Sequence, residues 1–283
     1  MGIRIDWWIS GLRILCTVLT QKEDFMRALV TGGAKRLGRE MALYLASRGY
    51  DVAVHYNTSS SEADDVVSEI RCLGNGAVGI KADLLDEGQV KDLVPEANKQ
   101  LGGTLGVLVN NASIFEYDNV YSATRESWDR HVESNLRAPF VLTQHFADQA
   151  PAIQHDKNGE PFAVASIVNI IDQRVRKLTP EFSSYSIAKM GLWTVTQISA
   201  QGLAPKVRVN AIGPGPTLQG SRQTEQHFNK QRLSTILERG ANASDILAAL
   251  GYFLDSPAVT GQLLCIDGGQ HLCWQTPDVL GIE

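Results

Sequence analysis

A chain of 283 residues, 43% of them hydrophobic, can bury a sizeable core and is long enough for one large α/β domain. Its 26 Lys+Arg against 31 Asp+Glu, a net charge of -5, argue against nonspecific partnership with nucleic acid or an acidic membrane. The four cysteines, Cys16, Cys72, Cys265 and Cys273, form no CxxC pair and none sits beside a His at ligand spacing. Neither a disulfide framework nor a metal site is therefore expected, and the thiols read as reduced in a cytoplasmic protein.

Residues 1–24 do not resemble the rest of the chain. Their uninterrupted apolar run, Ile14–Thr20, is far too short to cross a bilayer. A secretory signal fits poorly, because no small-residue cleavage site comes after the run. Met26 stands directly before the first clear strand. Residues 1–24, with Trp7 and Trp8, are therefore set aside as an extension, and residues 25–283 are expected to form one domain.

Ala28–Val30 reads as a strand entering a glycine-bearing turn, TGGAKRLG at Thr31–Gly38. An amphipathic helix from about Leu37 to Ser47 comes next, and Gly49 ends it. Gly32, Gly33 and Gly38 suit a tight turn and close approach of backbone to a pyrophosphate, with the helix N-terminus offering N–H donors. The spacing is looser than GxGxxG, so the turn alone is weak evidence, and a strand–helix turn without ligand is the alternative. The second strand, Asp51–His55, carries no Asp or Glu from Val52 to Ser61, where an acid would hold ribose hydroxyls and favour NAD. Hydroxyls at Ser59–Ser61 and the cations Lys35 and Arg36 favour a 2′-phosphate instead, hence NADPH over NADH.

Glu62–Leu73 reads as a polar helix and Ala77–Ala82 as a third strand. Asp83 then faces an adenine or caps the next helix, as Asp86 could. Leu105–Val109 enters NNAS at Asn110–Ser113, a cofactor edge or an ordinary Asx turn. A long helix, Ser127–Gln149, carries Asn135 at its middle, where Asn is a mediocre helix former. Ala150–Pro161 reads as a surface loop. The apolar run Ile167–Ile171 reads as a buried strand ending at Asp172. Tyr185 and Lys189, four residues apart, project from one face of the next helix. A carboxyl, a phenol and an ammonium thus converge. That suits proton transfer, with the cation expected to stabilise the phenolate and lower the Tyr185 pKa. Val207–Ile212 is another strand, and Pro214–Pro216 makes a rigid exit. Thr217–Gly240 is polar and irregular, with helical character later on, and reads as a lid, which with the exit spans about 214–240. Asn242 or Ser244 caps a helix running to Leu254, and Leu263–Ile266 closes the sheet before Asp267–Gly269.

TGGAKRLG, NNAS, Asn135, YSIAK, the pair Pro214–Gly215 and DGG occur in this order over residues 27–269, and the chain resembles the short-chain dehydrogenase/reductases. The resemblance implies a Rossmann-type doubly wound parallel sheet in three α/β/α layers. It also implies a nicotinamide cofactor and a homo-oligomer, tetramer or dimer. Most members place a Ser about thirteen residues before the Tyr, where this chain has Asp172. That substitution resembles the pteridine reductases and dihydromonapterin/dihydrofolate reductases, which act on small-molecule heterocycles. The resemblance assigns catalysis to Asp172, Tyr185, Lys189 and Asn135, with Asn135 linking Lys189 to solvent. Cofactor contacts fall to Gly32, Lys35, Arg36, Leu37, Gly38, His55, Tyr56, Asn57, Ser59, Asp83, Asn111, Ala112, Ser113, Tyr185, Lys189, Pro214 and Gly215. Substrate contacts fall to Arg36, Ser113, Phe115, Asp172 and Tyr185, with Phe115 stacking the heterocycle. The first alternative is a carbonyl reductase acting on a 3-oxoacyl, sugar or other ketone substrate, and the second is a dinucleotide-binding protein without catalysis.

Overall fold

The computed structural model describes residues 4–9, 12–17, 26–220 and 223–274. The side chains of the N-terminal extension, Trp7, Trp8 and Cys16 among them, lie outside the described residues. In the backbone, β1 (Arg4–Ile9) and β2 (Leu12–Thr17) form an antiparallel ladder of their own.

The domain then alternates strand and helix. β3 (Arg27–Val30) leads to α1 (Arg36–Ser47), β4 (Asp51–Tyr56) to α2 (Ser60–Cys72), and β5 (Ala77–Lys81) to α3 (Glu87–Leu101). β6 (Val107–Asn110) is followed by α4 (Arg125–Val132) and α5 (Ala138–Gln149). A short ladder of β7 (Gln154–His155) with β8 (Pro161–Phe162) precedes β9 (Ala165–Ile170) and the long α6 (Ser183–Gly202). β10 (Val207–Pro214), α7 (Glu225–Leu233), α8 (Ala243–Asp255) and β11 (Leu263–Ile266) complete the order.

Seven strands form one all-parallel sheet in the order β11-β10-β9-β6-β3-β4-β5. The order reverses between β3 and β6. In such a sheet the crevice beyond the strand C-termini at the reversal is where ligands bind. Alternation along each strand splits the core between two helix layers. Ala28, Val30, Val52 and Val54 pack with α1, α2 and α8, whereas Leu29, Ala53 and Ile167 pack with α3 and α5. The expected three-layer doubly wound architecture is observed.

Local signals set most boundaries. Asp86 caps α3 by accepting from the Gly88 and Gln89 N–H groups, and Gly102 ends it in the left-handed region. Of the two candidate caps for α8, Asn242 takes the position, in a reciprocal capping box with Asp245.

Two expectations need correction. The helix expected over Ser127–Gln149 begins at Arg125, under a Thr124/Ser127 capping box, and contains a π turn over Glu133–Arg137. Pro139 explains the break: it has no N–H, and its ring opposes the carbonyl of Asn135 four residues back. The Ala138 N–H reaches instead to the Glu133 carbonyl. Residues 150–161 are less irregular than expected, because β7 pairs with β8 around the turn Asp156–Gly159. In the lid, the helical character expected late in Thr217–Gly240 is present as α7, capped by Thr224 and without a buried residue. Among the described residues, no helix is long and apolar enough to cross a membrane.

Candidate active site

The turn after β3 is shaped for an anion. Gly32 sits at φ +61, and a Cβ on Gly38 would stand 2.0 Å from the Gly32 carbonyl oxygen and 2.6 Å from Asn111 Nδ2. Only glycine permits that closure of helix on strand. Lys35, the N-cap of α1, makes no side-chain capping bond, so no capping side chain competes for the first-turn N–H groups.

Neighbouring strands brace the turn. Thr31 Oγ1 accepts from the Asn111 and Ala112 N–H groups at 2.9 and 3.0 Å, and Asn111 Nδ2 donates to the Thr31 and Gly32 carbonyls at 2.9 and 3.2 Å. The NNAS segment is thus a clamp on the glycine turn as well as a cleft wall. Asn110 reaches the other way: its Nδ2 donates to Asn169 Oδ1 at 2.8 Å, and Asn169 donates to Thr196 Oγ1 at 2.9 Å. This buried polar chain ties β6 and β9 to α6.

The resemblance assigns His55 to the cofactor. The residue lines the cleft, but it is only 2% exposed and both ring nitrogens are engaged. Nδ1 accepts from the Gly32 N–H at 2.9 Å, and Nε2 faces the Ala82 carbonyl at 3.1 Å. The ring is therefore neutral with its proton on Nε2. Burial holds its pKa down at about 4.

A cleft of about 550 Å³ opens over the sheet reversal. It gathers Gly32, Lys35, Arg36, Leu37, Gly38, Asn57, Asp83, Asn111, Ala112 and Ser113 of the expected set, and adds Ile114, Arg130 and Ser134. Its size, the glycine cradle and the uncapped helix end fit a dinucleotide. Tyr56 packs against the first core cluster and Ser59 serves as the N-cap residue of α2. Pro214 ends β10, while the Gly215 N–H donates to the Ile266 carbonyl at 2.9 Å. None of these four lines the cleft. The two cations assigned to phosphate are engaged elsewhere. Lys35 pairs with Glu62 at 2.6 Å. Arg36, in the left-handed region at φ 52, donates to the Gln219 and Leu218 carbonyls at 2.8 and 3.1 Å.

Beyond β9 the proton-transfer residues converge. Asp172 Oδ1 accepts from the Arg174 N–H at 2.8 Å, which leaves Oδ2 to accept from the Tyr185 hydroxyl at 2.9 Å. Lys189 Nζ donates to the Ile170 carbonyl at 2.9 Å and lies 5.8 Å from the Tyr185 ring centre. Burial pushes the Asp172 carboxyl up and the Lys189 ammonium down to about 8. The expected lowering of the Tyr185 pKa is reversed. Burial, and after it the facing Asp172 carboxylate, raise the phenol well above its ordinary value. The sequence shows the ammonium but not the desolvation, which here is the larger effect. The phenol is held protonated, the form that donates a proton.

Asn135 does not bond to Lys189. Its Oδ1 accepts from the Ile114 N–H and its Nδ2 donates to the Ile114 carbonyl, both at 2.8 Å. The π turn therefore fixes the loop that carries Phe115. Phe115, 42% exposed, stacks on Phe182 with centres 4.3 Å apart and meets the Tyr185 ring edgewise at 4.7 Å.

Sequence reasoning missed Phe182 and the network behind Tyr185. Buried Asp118 accepts from the Ser184 N–H at 3.1 Å, from the Ser184 hydroxyl through a very short bond, and from Ser127 Oγ at 3.0 Å. Burial raises its pKa, but these hydrogen bonds outweigh burial and leave it lowered. His131 Nδ1 faces Ser184 Oγ at 2.7 Å, and its Nε2 accepts from the Glu116 N–H at 3.0 Å. Asp118 and His131 thereby fasten the first turn of α6, and with it Tyr185. The one available signal was His131, four residues before Asn135 on the same helical face.

Comparison with known proteins agrees with this geometry. A family model described as short chain dehydrogenase matches residues 26–230. The 3-oxoacyl-[acyl-carrier-protein] reductase FabG of Staphylococcus aureus is 30% identical over 250 residues, covering 87% of this chain and 98% of that protein. FolM alternative dihydrofolate reductase 1 of Brucella suis, solved in complex with NADP, is 41% identical with a TM-score of 0.82, covering 89% of this chain and 98% of that one. Its Brucella canis counterpart, also solved with NADP, is 40% identical with a TM-score of 0.82, covering 89% and 96%. The chain belongs to the short-chain dehydrogenase/reductase family of oxidoreductases.

Proposed function

We propose that this protein is an NADPH-dependent reductase of a carbon–nitrogen double bond in a dihydropterin or dihydrofolate. The observation that carries the proposal is the Asp172 carboxyl, hydrogen-bonded to the Tyr185 hydroxyl at 2.9 Å. A carboxyl accepts from, or when protonated donates to, the ring nitrogens of a heterocycle, and reduction of C=N places a proton on nitrogen. The likeness to the two Brucella enzymes at 40–41% identity, both bound to NADP, supports the same reading.

NADPH, when bound along the cleft, supplies the hydride. The chain's own residues do the rest. The uncapped N-terminus of α1 receives the pyrophosphate. Phe115 holds a flat ring against the Tyr185 edge. Tyr185, kept protonated, donates its proton, and Asp172 orients the ring nitrogens. Lys189 anchors the Ile170 carbonyl, and so the end of β9, while placing positive charge beneath the phenol ring.

The FabG relatives favour a second reading, reduction of a 3-oxoacyl carbonyl. NADPH oxidation followed with dihydrobiopterin, dihydromonapterin and dihydrofolate, beside a 3-oxoacyl thioester, separates the two. Under the proposal the pterins turn over, Tyr185→Phe loses about 10²-fold or more, and Asp172→Ser abolishes pterin reduction. Activity confined to the thioester, improved by Asp172→Ser, would overturn it.

A further inference from the structure

Arg174, like Arg36 at the glycine turn, has no carboxylate partner among the described residues. Arg39, Arg130 and Arg137 each pair with a carboxylate. Among the described residues, Arg174 makes no ion pair. The acid Glu181 acts on Tyr117, whose pKa it raises.

Its position is nonetheless fixed. The Arg174 N–H holds Asp172 at 2.8 Å within the 3₁₀ turn Gln173–Val175, the guanidinium lies 5.0 Å from the centre of the Phe182 ring, and Nη1 donates to Thr179 Oγ1 at 2.8 Å. Stacking and one hydrogen bond hold the fork flat and leave most of its five donors unused. From Tyr185 a chain of ring contacts leads through Phe115 and Phe182 to this cation, with separations of 4.7, 4.3 and 5.0 Å.

We infer that Arg174 is a specificity-determining residue that anchors a carboxylate on the tail of the substrate. A planar guanidinium with vacant donors, stacked on an aromatic wall beside the proton donor, matches a carboxylate bidentately. The inference rests on the pterin reading and narrows it: substrates whose heterocycle carries an acidic tail, as in dihydrofolate, are preferred over those with a neutral hydroxyalkyl tail.

Steady-state kinetics with NADPH on the full chain tests it. For Arg174→Gln, kcat/KM for dihydrofolate falls about tenfold or more, mainly through KM, while dihydrobiopterin changes less than about twofold. Arg174→Lys keeps the charge but not the fork and recovers part of the loss. Arg176→Gln is the control, since its guanidinium lies over Trp193; it leaves the preference unchanged. Raising salt erodes the preference of the wild type and not that of Arg174→Gln. Equal losses on both substrates would overturn the inference and make Arg174 a support for Asp172 and Tyr185. No change on either would overturn it as well. If the wild type reduces neither pterin, the underlying reading fails and the anchor falls with it.

Discussion

Acidification should loosen the cofactor turn through a single residue, His55. The unfolded chain titrates this histidine near 6.5, whereas in the fold its pKa is held at about 4. Between those values the unfolded state binds more protons, so stability falls as pH drops below 6.5. At about 1.4 kcal/mol per pH unit, the loss is about 2 kcal/mol at pH 5 and about 3 kcal/mol below pH 4. The loss has a definite place. Protonated Nδ1 no longer accepts the Gly32 N–H, a bond of 2.9 Å, so the glycine turn loses its brace as the fold weakens. Urea unfolding at about pH 7.5 and about pH 5, on wild type and His55→Asn, measures it. The variant starts less stable but lacks this titration, so the gap between the proteins narrows by about 2 kcal/mol at the lower pH. A gap that stays constant would refute the argument and move the acid sensitivity elsewhere.

Two further outcomes rest on the same geometry. Gly38→Ala places a Cβ 2.0 Å from the Gly32 carbonyl oxygen, so the turn must open and NADPH affinity, read by fluorescence titration, should drop at least tenfold; unchanged affinity would show that the closure is not needed for binding. Ser184→Ala removes a donor from buried Asp118 and the partner of His131 Nδ1. It should cost about 1–3 kcal/mol in chemical denaturation, and a loss below about 0.5 kcal/mol would mean that the network does not hold α6.

What is legible in the sequence is what repeats or lies close in the chain. Strand runs such as Ile167–Ile171 and the helical spacing of Tyr185 and Lys189 carry their own period, and the sheet is built from them. Asp172 stands out because a carboxyl occupies a place where a hydroxyl is expected. Contacts between distant segments leave no trace. Nothing in the sequence says that His55 meets Gly32 and Ala82, or that Asp118 holds Ser184 across 66 residues. The direction of the Tyr185 shift fails for a related reason: a nearby Lys can be read from the chain, whereas the depth of burial is a property of the assembled core. Lys35 and Arg36 lie at the turn, but their partners, Glu62 and the carbonyls of residues 218–219, come from other elements.

The π turn at Glu133–Arg137 has a consequence for how this chain tolerates change. It puts one extra residue into what would otherwise be a continuous helix, so α5 is rotated by about 100° relative to the phase set by α4. That rotation turns Leu142 and Phe146, both fully buried, into the layer shared with α3. Deleting a single residue between 133 and 137 would remove the extra residue and bring α4 and α5 into one phase, with Pro139 still leaving one helical carbonyl unpaired. It would also swing those two side chains out of the core and pull Asn135 away from Ile114. At this point the more regular helix is the poorer protein.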